Sequence, residues 1–318
     1  MTQPTYTDLF KVFGRIGLLS FGGPAAQIAL MHDALVTRQK WLSEEQYLRA
    51  LSLCMLLPGP EAMQLATYAG WRLRGTPGGL IAGLLFVVPG ALVILALALG
   101  YVRFGEVPLV QAAFLGIKAA VIVVVLQALL RLGKKALTGR ASWALAGAAF
   151  VALFVFGLPF PLIVIAAGLF GYVTSRSGHA AAPPAPVSHR TGRTVTLWGG
   201  LWAAPLFALW LGAQDFLLQI GLFFSKLAVV TFGGAYAVLA YMTQQVVQDF
   251  GWITTGEMID ALGLAETTPG PLILVAQFVA LLAGFAQGGL GLALAAGALT
   301  LWVTFTPCFL WIFAAGPY

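Results

Sequence analysis

Ser20-Phe21-Gly22-Gly23-Pro24 and Leu57-Pro58-Gly59-Pro60 each occur a second time in this chain. Their counterparts, Thr231-Phe232-Gly233-Gly234-Ala235 and Thr268-Pro269-Gly270-Pro271, lie 211 positions later. At the same offset Trp41 finds Trp252, and 15 of the 48 ungapped pairs over 13–60 and 224–271 are identical. The replacements are physically mild: Ser20 faces Thr231, Arg15 faces Lys226 and Leu57 faces Thr268. Each copy therefore carries two helix-breaking points inside apolar sequence, one at Gly-Gly and one at Pro-Gly-Pro. Duplicated broken helices mark the functional centre of inverted-repeat transporters.

The rest of the chain sets the class. Hydrophobic residues make up 60% of it, charged residues 9%, and the mean hydropathy is +0.91. A soluble domain of this length carries about a quarter charged residues. Runs of about 20 apolar residues recur, and they are continuous rather than alternating, so helices and not a barrel cross the bilayer. Of the 17 basic residues only Lys226 lies beyond Arg193, while five of the 11 acids do. The bases fall in short loops between spans, which the positive-inside rule explains without nucleic acid. Cys54 and Cys308 are too few for a disulfide framework or a metal site. His32, His179 and His189 all fall in loops, so no paired axial ligands for haem arise. No cofactor and no enzymatic activity are expected.

Taken in order, broken segments are expected over 7–31 and 43–71, followed by spans at 78–101 and 108–130. Two further spans fit within 141–176, hinged at 157–161. The organisation reads as a first transmembrane repeat over 1–176, a flexible Pro/Ala linker over 177–195, and a second repeat over 196–318. That second repeat opens with an extra span at 197–213 and stops short of the last helices of the first, as a short natural variant or a fragment would. With the N-terminus inside, the loops at 72–77, 131–140 and 177–193 are cytoplasmic and hold most of the bases. The extra span then turns the second copy upside down. The expected fold is an all-α polytopic membrane protein of two inverted-topology repeats with broken transmembrane helices.

Inside hydrocarbon a broken helix leaves backbone N–H and C=O groups that only protein or a water-filled cavity can satisfy. Pro24 and Pro60 suit the first turn of a new helix, whose N-terminus offers N–H groups and the positive dipole end to an anion. The structural alternative is that Gly22-Gly23, Gly233-Gly234, Pro58-Gly59-Pro60 and Pro269-Gly270-Pro271 are kinks for close packing. Three cations lie within spans: Arg15, Lys118 and Lys226. Arg15 and Lys226 are repeat equivalents placed five residues before a hydroxyl, and two positive charges suit a dianion, although snorkelling or structural pairing would also place them. Ser20, Thr231, Thr267 and Thr268 offer hydroxyls. Glu61 caps a half-helix or titrates; Glu266, opposite Met55, is a proton-coupling candidate or a local structural acid.

These residues also carry a resemblance. Phe21-Gly22-Gly23-Pro24, Leu56-Leu57-Pro58-Gly59-Pro60-Glu61, Gly116-Ile117-Lys118 and Gly263-Leu264-Ala265-Glu266-Thr267-Thr268-Pro269-Gly270-Pro271 resemble the chromate ion transporter family, in the order of its long two-repeat members. The likeness runs from Leu9 onward, with the last C-terminal helices missing. It implies a secondary transporter exporting chromate across the bacterial inner membrane and giving chromate resistance. Its partners would be the lipid bilayer, chromate or a similar oxyanion, and a second copy of the chain in a homodimer. Sulfate or another tetrahedral oxyanion is the alternative substrate. A membrane-bound chromate reductase needs a redox cofactor for which no ligand set is visible.

Overall fold

The computed structural model describes residues 4–105, 107–109, 139–156, 158, 160–174, 191–232 and 235–317, with isolated positions between 112 and 137. Lys118, Gly233 and Gly234 lie outside the described residues, as do most of the expected span at 108–130 and linker residues 177–190. Every regular element among the described residues is helical. Three stretches are long and apolar enough to cross a bilayer, Glu61–Phe104, Thr191–Leu211 and Leu272–Ala315. The chain is an all-α membrane protein. It divides into two compact units, residues 1–118 with 186–318, and residues 119–185.

In the larger unit, helix α1 (Tyr6–Leu19) starts from a capping box in which Thr5 and Asp8 exchange hydrogen bonds. Helix α2 (Gly23–His32) runs into a π turn at Asp33–Arg38. Helix α3 (Glu44–Leu56) is capped by Ser43 with Gln46, and α4 spans Glu61–Phe104. The smaller unit contains α5 (Arg140–Phe154) and α6 (Phe160–Thr174), the two segments expected over 141–176. At 15 residues each is only about 22 Å long, shorter than the hydrocarbon core. Helix α7 (Thr191–Leu211) starts inside the stretch read as linker, so 191–195 are helical.

From there the first architecture returns. Helix α8 (Asp215–Val230) corresponds to α1, and α9 (Ala235–Thr243) with its π turn Gln244–Asp249 corresponds to α2 and its own. Helix α10 (Thr255–Thr267) has the capping box Thr254/Glu257 and matches α3 residue for residue at the offset of 211. A short 3-10 turn, Leu272–Leu274, leads into α11 (Val275–Ala315). The C-terminal ends of α1 and α2, and both ends of α3, thus recur in α8, α9 and α10.

Helix α4, 44 residues long, would reach about 66 Å if straight, twice the hydrocarbon thickness. It is a hairpin. Arg74 (φ −142°, ψ 25°) and Gly75 (φ 64°, ψ −159°) leave helical geometry, and the two limbs fold back on each other. A Cβ on Gly70 would lie 2.2 Å from the Gly78 carbonyl oxygen, so the limbs meet backbone to backbone. Helix α11 turns the same way at Gly288 and Gly289 (φ 74°). There Gly284 packs on Ala293, and Gly297 on Leu281, as Gly83 does on Thr67. This second set of equivalences runs at an offset of 214, so three residues are inserted after the Pro-Gly-Pro break. The limbs match the spans expected at 78–101 and 289–312.

Candidate functional site

The four breaks fall where the sequence places them, between α1 and α2, α3 and α4, α8 and α9, and α10 and the 3-10 turn before α11. Gly22 caps α2 from the left-handed region (φ 82°), and Pro24 occupies the first turn. Gly59 (φ 117°) and Gly270 (φ 93°) adopt the matching left-handed conformation inside the two Pro-Gly-Pro breaks.

The breaks of one repeat bind those of the other. The Gly59 N–H donates to the Thr231 carbonyl at 2.7 Å, and the Gly270 N–H donates to the Ser20 carbonyl at 3.1 Å. Gly270 N–H is also 2.9 Å from the Ser20 hydroxyl oxygen. Since Ser20 and Thr231, and Gly59 and Gly270, are repeat equivalents, each contact is the mirror of the other. The breaks also pack on the opposite repeat's hairpin, though not at equivalent positions: a Cβ on Gly59 would meet Cys308 Sγ at 2.9 Å, and one on Gly90 would meet the Pro269 carbonyl oxygen at 2.1 Å. The reciprocal backbone hydrogen bonds are the signature of a two-fold relation. Here the two-fold relates halves of one chain.

A cavity of about 10 Å³ lies at this junction, lined by Pro24, Gln27, Pro60, Glu61, Pro271 and Leu272 among others. The first turns of α2 and α4 open onto it, so two positive helix ends share one small space. Its volume is about that of a single water molecule. A tetrahedral oxyanion fits only if the breaks part, so the conformation described here is closed.

Gln27 holds that closure. It is 1% exposed. Its amide nitrogen donates to the Gly270 carbonyl at 2.6 Å and to the Ser20 carbonyl at 3.0 Å, tying the first repeat to the second. Its amide oxygen is buried without a hydrogen-bond partner among the described residues. Gln64 braces the other break from within the first repeat, donating to the Pro58 carbonyl at 2.6 Å. Neither glutamine stands out in a single apolar run. The signal that could have found them is the repeat itself, since their counterparts, Val238 and (past the insertion) Phe278, are apolar.

The other candidate residues are placed as follows. Ser20 and Thr231 are buried at the junction, but their hydroxyls donate to carbonyls of their own helices, Gly17 at 2.8 Å and Leu227 at 2.6 Å. Thr267 similarly donates to the Gly263 carbonyl at 2.9 Å, and Thr268 is buried. Phe21 and Phe232 are exposed. Glu61, half-buried, is the first residue of α4 and faces the cavity; Glu266, also half-buried, lies one residue from the end of α10.

Arg15 and Lys226 stand outside this cavity. Arg15 is exposed on α1 and lines a groove of about 360 Å³ with Lys11, Asp33 and Arg38. Lys226 is exposed on α8, where its ammonium donates to the Tyr241 hydroxyl at 2.7 Å and lies 5.2 Å from that ring's centre. The repeat symmetry persists here, because Leu30, the counterpart of Tyr241, lines the Arg15 groove.

Comparison with known proteins fits this geometry. The profile of the family described as "Chromate transporter" matches residues 7–172 and 218–318. The chain belongs to the chromate transporter family. The "Chromate transport protein" of Pseudomonas aeruginosa is 34% identical over 284 residues, covering 88% of this chain and 67% of that protein. The protein of the same description from Cupriavidus metallidurans is 32% identical over 331 residues, covering all of this chain and 76% of its own length. A third relative, the "Uncharacterized transporter YwrA" of Bacillus subtilis, is 34% identical over 166 residues. That alignment takes 51% of this chain but 93% of YwrA, so a relative of about half this length exists on its own. No solved structure matches the chain. For this chromate transporter family member, sequence likeness gives the transported class, and the reciprocal junction gives its candidate place.

Proposed function

We propose that this protein exports chromate from the bacterial cytoplasm across the inner membrane, and so confers chromate resistance. The observation that carries the reading is the junction of the breaks. There the N-terminal turns of α2 and α4 and a buried glutamine face one cavity at the meeting of two repeats. An oxyanion entering it meets free N–H groups and two positive dipole ends. Gln27, released from Gly270, supplies an amide donor. Ser20, Phe21, Gly22, Gly23, Pro58, Gly59, Thr231, Thr267, Thr268, Pro269 and Gly270 shape the backbone around it. Arg15, Lys118 and Lys226 contribute positive potential.

Moving a dianion out of an inside-negative compartment releases about 4.6 kcal/mol per 100 mV, so the membrane potential alone can drive the export. Glu61 in the cavity and Glu266 beside the second break oppose a bound dianion when charged, which makes them the coupling carboxylates of this scheme.

The two repeats run in opposite directions through the membrane in this reading, supported by the odd helix α7 between them and by the loop bases. Single cysteines replacing Gln39 and Gln248, at the ends of the two π turns, should label from opposite faces; labelling from one face contradicts the inversion. The function is tested by chromate and sulfate flux in inverted membrane vesicles, with and without a proton gradient. Accumulation of chromate above protein-free vesicles is expected. Sulfate transport in its place would reassign the substrate, and no flux of either anion would end the proposal.

A further inference from the structure

We propose that Asp260 is a proton-binding station of the transport cycle, reached from bulk water through the hydroxyl of Tyr101. Asp260 sits on α10, between its capping box and the second break, and is 2% exposed. Buried carboxyls within membrane segments are costly to keep, and they mark proton and ion routes. The Tyr101 hydroxyl, on the far limb of the α4 hairpin, donates to Asp260 Oδ2 at 2.9 Å. The Tyr101 ring is itself held edge-on against Phe278 of α11, their centroids 5.6 Å apart. One phenol therefore joins three helices, two of them leading directly to the second break.

Tyr101 also lines a cavity of about 880 Å³, together with Arg103, Phe104, Glu257, Leu282 and Phe285. That volume holds many waters. Asp260 is thus one hydroxyl away from a cavity roomy enough for water while being itself shut off from it. The phenolic proton passes to Oδ2 as the phenolic oxygen takes one from a hydrated proton (H₃O⁺) in the cavity, which leaves neutral water; release runs the exchange backwards.

The charged groups around the station are few among the described residues. Arg103 comes from α4, Glu257 lies one turn away on α10 itself, and the lining residues from α11 are apolar. Glu106, which follows Gly105 in sequence, lies outside the described residues. The first repeat has nothing equivalent. At the matching position Arg49 is exposed and pairs with Glu45 at 2.5 Å on the surface. The buried acid belongs to one repeat only, and it lies about 9 Å along the helix axis from Glu266 and the break. A proton taken up at Asp260 changes the charge of the half-helix that ends at the junction.

This inference rests on reading the chain as an anion transporter, and its test separates the two. The full chain is reconstituted in liposomes and titrated by infrared difference spectroscopy, while chromate flux is followed under imposed pH gradients. The wild type should show a carboxylic-acid carbonyl band that appears and disappears with pH, and a flux that responds to the gradient. Asp260→Asn should lose both, Asp260→Glu should restore part of the flux response, and Tyr101→Phe should slow that response about tenfold or more. An unchanged band in Asp260→Asn, or a wild-type gradient response in that variant, overturns the proposal. So does a wild type whose chromate flux ignores pH. Wild-type liposomes that move no chromate refute the transport reading instead, and the band alone then decides whether Asp260 binds the proton. Should Asp260→Asn fail to insert, the same band is followed in Tyr101→Phe: removing the donor must shift it, and an unshifted band overturns the proposal.

Discussion

The two Pro-Gly-Pro breaks share one backbone and differ in what they place around it. Both centre on a left-handed glycine and donate an N–H to the carbonyl of the hydroxyl residue that ends the other repeat's first helix. Both pack on the far limb of the opposite hairpin. At the first break, however, that limb presents Cys308, while at the second it presents Gly90, against which the Pro269 carbonyl closes. Each break is tied down by a glutamine, yet both glutamines come from the first repeat. The first break leads into Glu61, the second into Leu272 and Ile273. Duplication thus kept the two-fold frame and let the polar chemistry drift apart. A symmetric site needs only the frame; a site that binds on one side and couples on the other needs the difference.

The largest effect is expected where the breaks are packed most unequally. Gly90→Cys, which gives the second break the side chain that Cys308 presents to the first, puts a Cβ against the Pro269 carbonyl and should cost about 3 kcal/mol or more, the upper end for overpacking against backbone. Cys308→Gly empties a buried site and puts glycine inside helix α11, and should cost about 2 kcal/mol. Thermal unfolding of the detergent-solubilised protein compares them, and equal losses would mean that the two limbs are interchangeable.

Next come the paired cations. Arg15→Gln and Lys226→Gln should each weaken chromate binding about tenfold, through the positive potential they add from outside the cavity rather than through a direct contact, with inserted protein unchanged. Arg15→Lys should restore most of the loss, because at that distance charge acts and the planar fork does not. Unchanged affinity in both Gln variants returns these residues to ordinary surface duty, consistent with their exposure outside the cavity.

A smaller change is expected at the latch. Gln27→Val, which makes the first repeat resemble Val238, leaves the Gly270 carbonyl short of a donor and should cost about 1–2 kcal/mol of stability while lowering flux. Val238→Gln buries an amide at a position only 1% exposed and should cost about 1–3 kcal/mol. Flux separates the two: if both variants lower it alike, the asymmetry between the breaks has no functional weight. The smallest change in affinity is expected at Glu266→Gln, within about twofold of wild type, less than about 0.5 kcal/mol. Its flux should nevertheless lose the response to a pH gradient. A retained response assigns Glu266 a structural role.

Much of this was legible in the sequence. Gly-Gly and Pro-Gly-Pro cannot continue a helix, so the four breaks followed from local backbone chemistry. The repeat of Ser43 as Thr254, each with a Gln or Glu three residues on, fixed where α3 and α10 begin. What stayed hidden depends on contacts between distant positions. Nothing near Gln27 says that its amide reaches Gly270, 243 residues away. Glu266 drew attention as the acid beside the break, whereas among the described residues the carboxyl buried most completely is that of Asp260, less than two turns earlier on the same helix. Likewise the hydroxyls of Ser20 and Thr231 suit an oxyanion by chemistry alone, but in the closed junction their protons belong to Gly17 and Leu227. Arg15 and Lys226 matched each other by sequence, and they match in the fold, each exposed on the first helix of its repeat.

The central claim is that the oxyanion binds where the two repeats exchange backbone hydrogen bonds. Anomalous diffraction at the chromium edge, from crystals of the protein grown with chromate, tests it most directly. The account predicts a chromium peak at the junction, within hydrogen-bond reach of Gln27 and of the first turns of α2 and α4, with the cavity opened beyond its present volume of about 10 Å³. An ordered chromium in the groove beside Arg15 and Lys11, with the junction still closed, would contradict it.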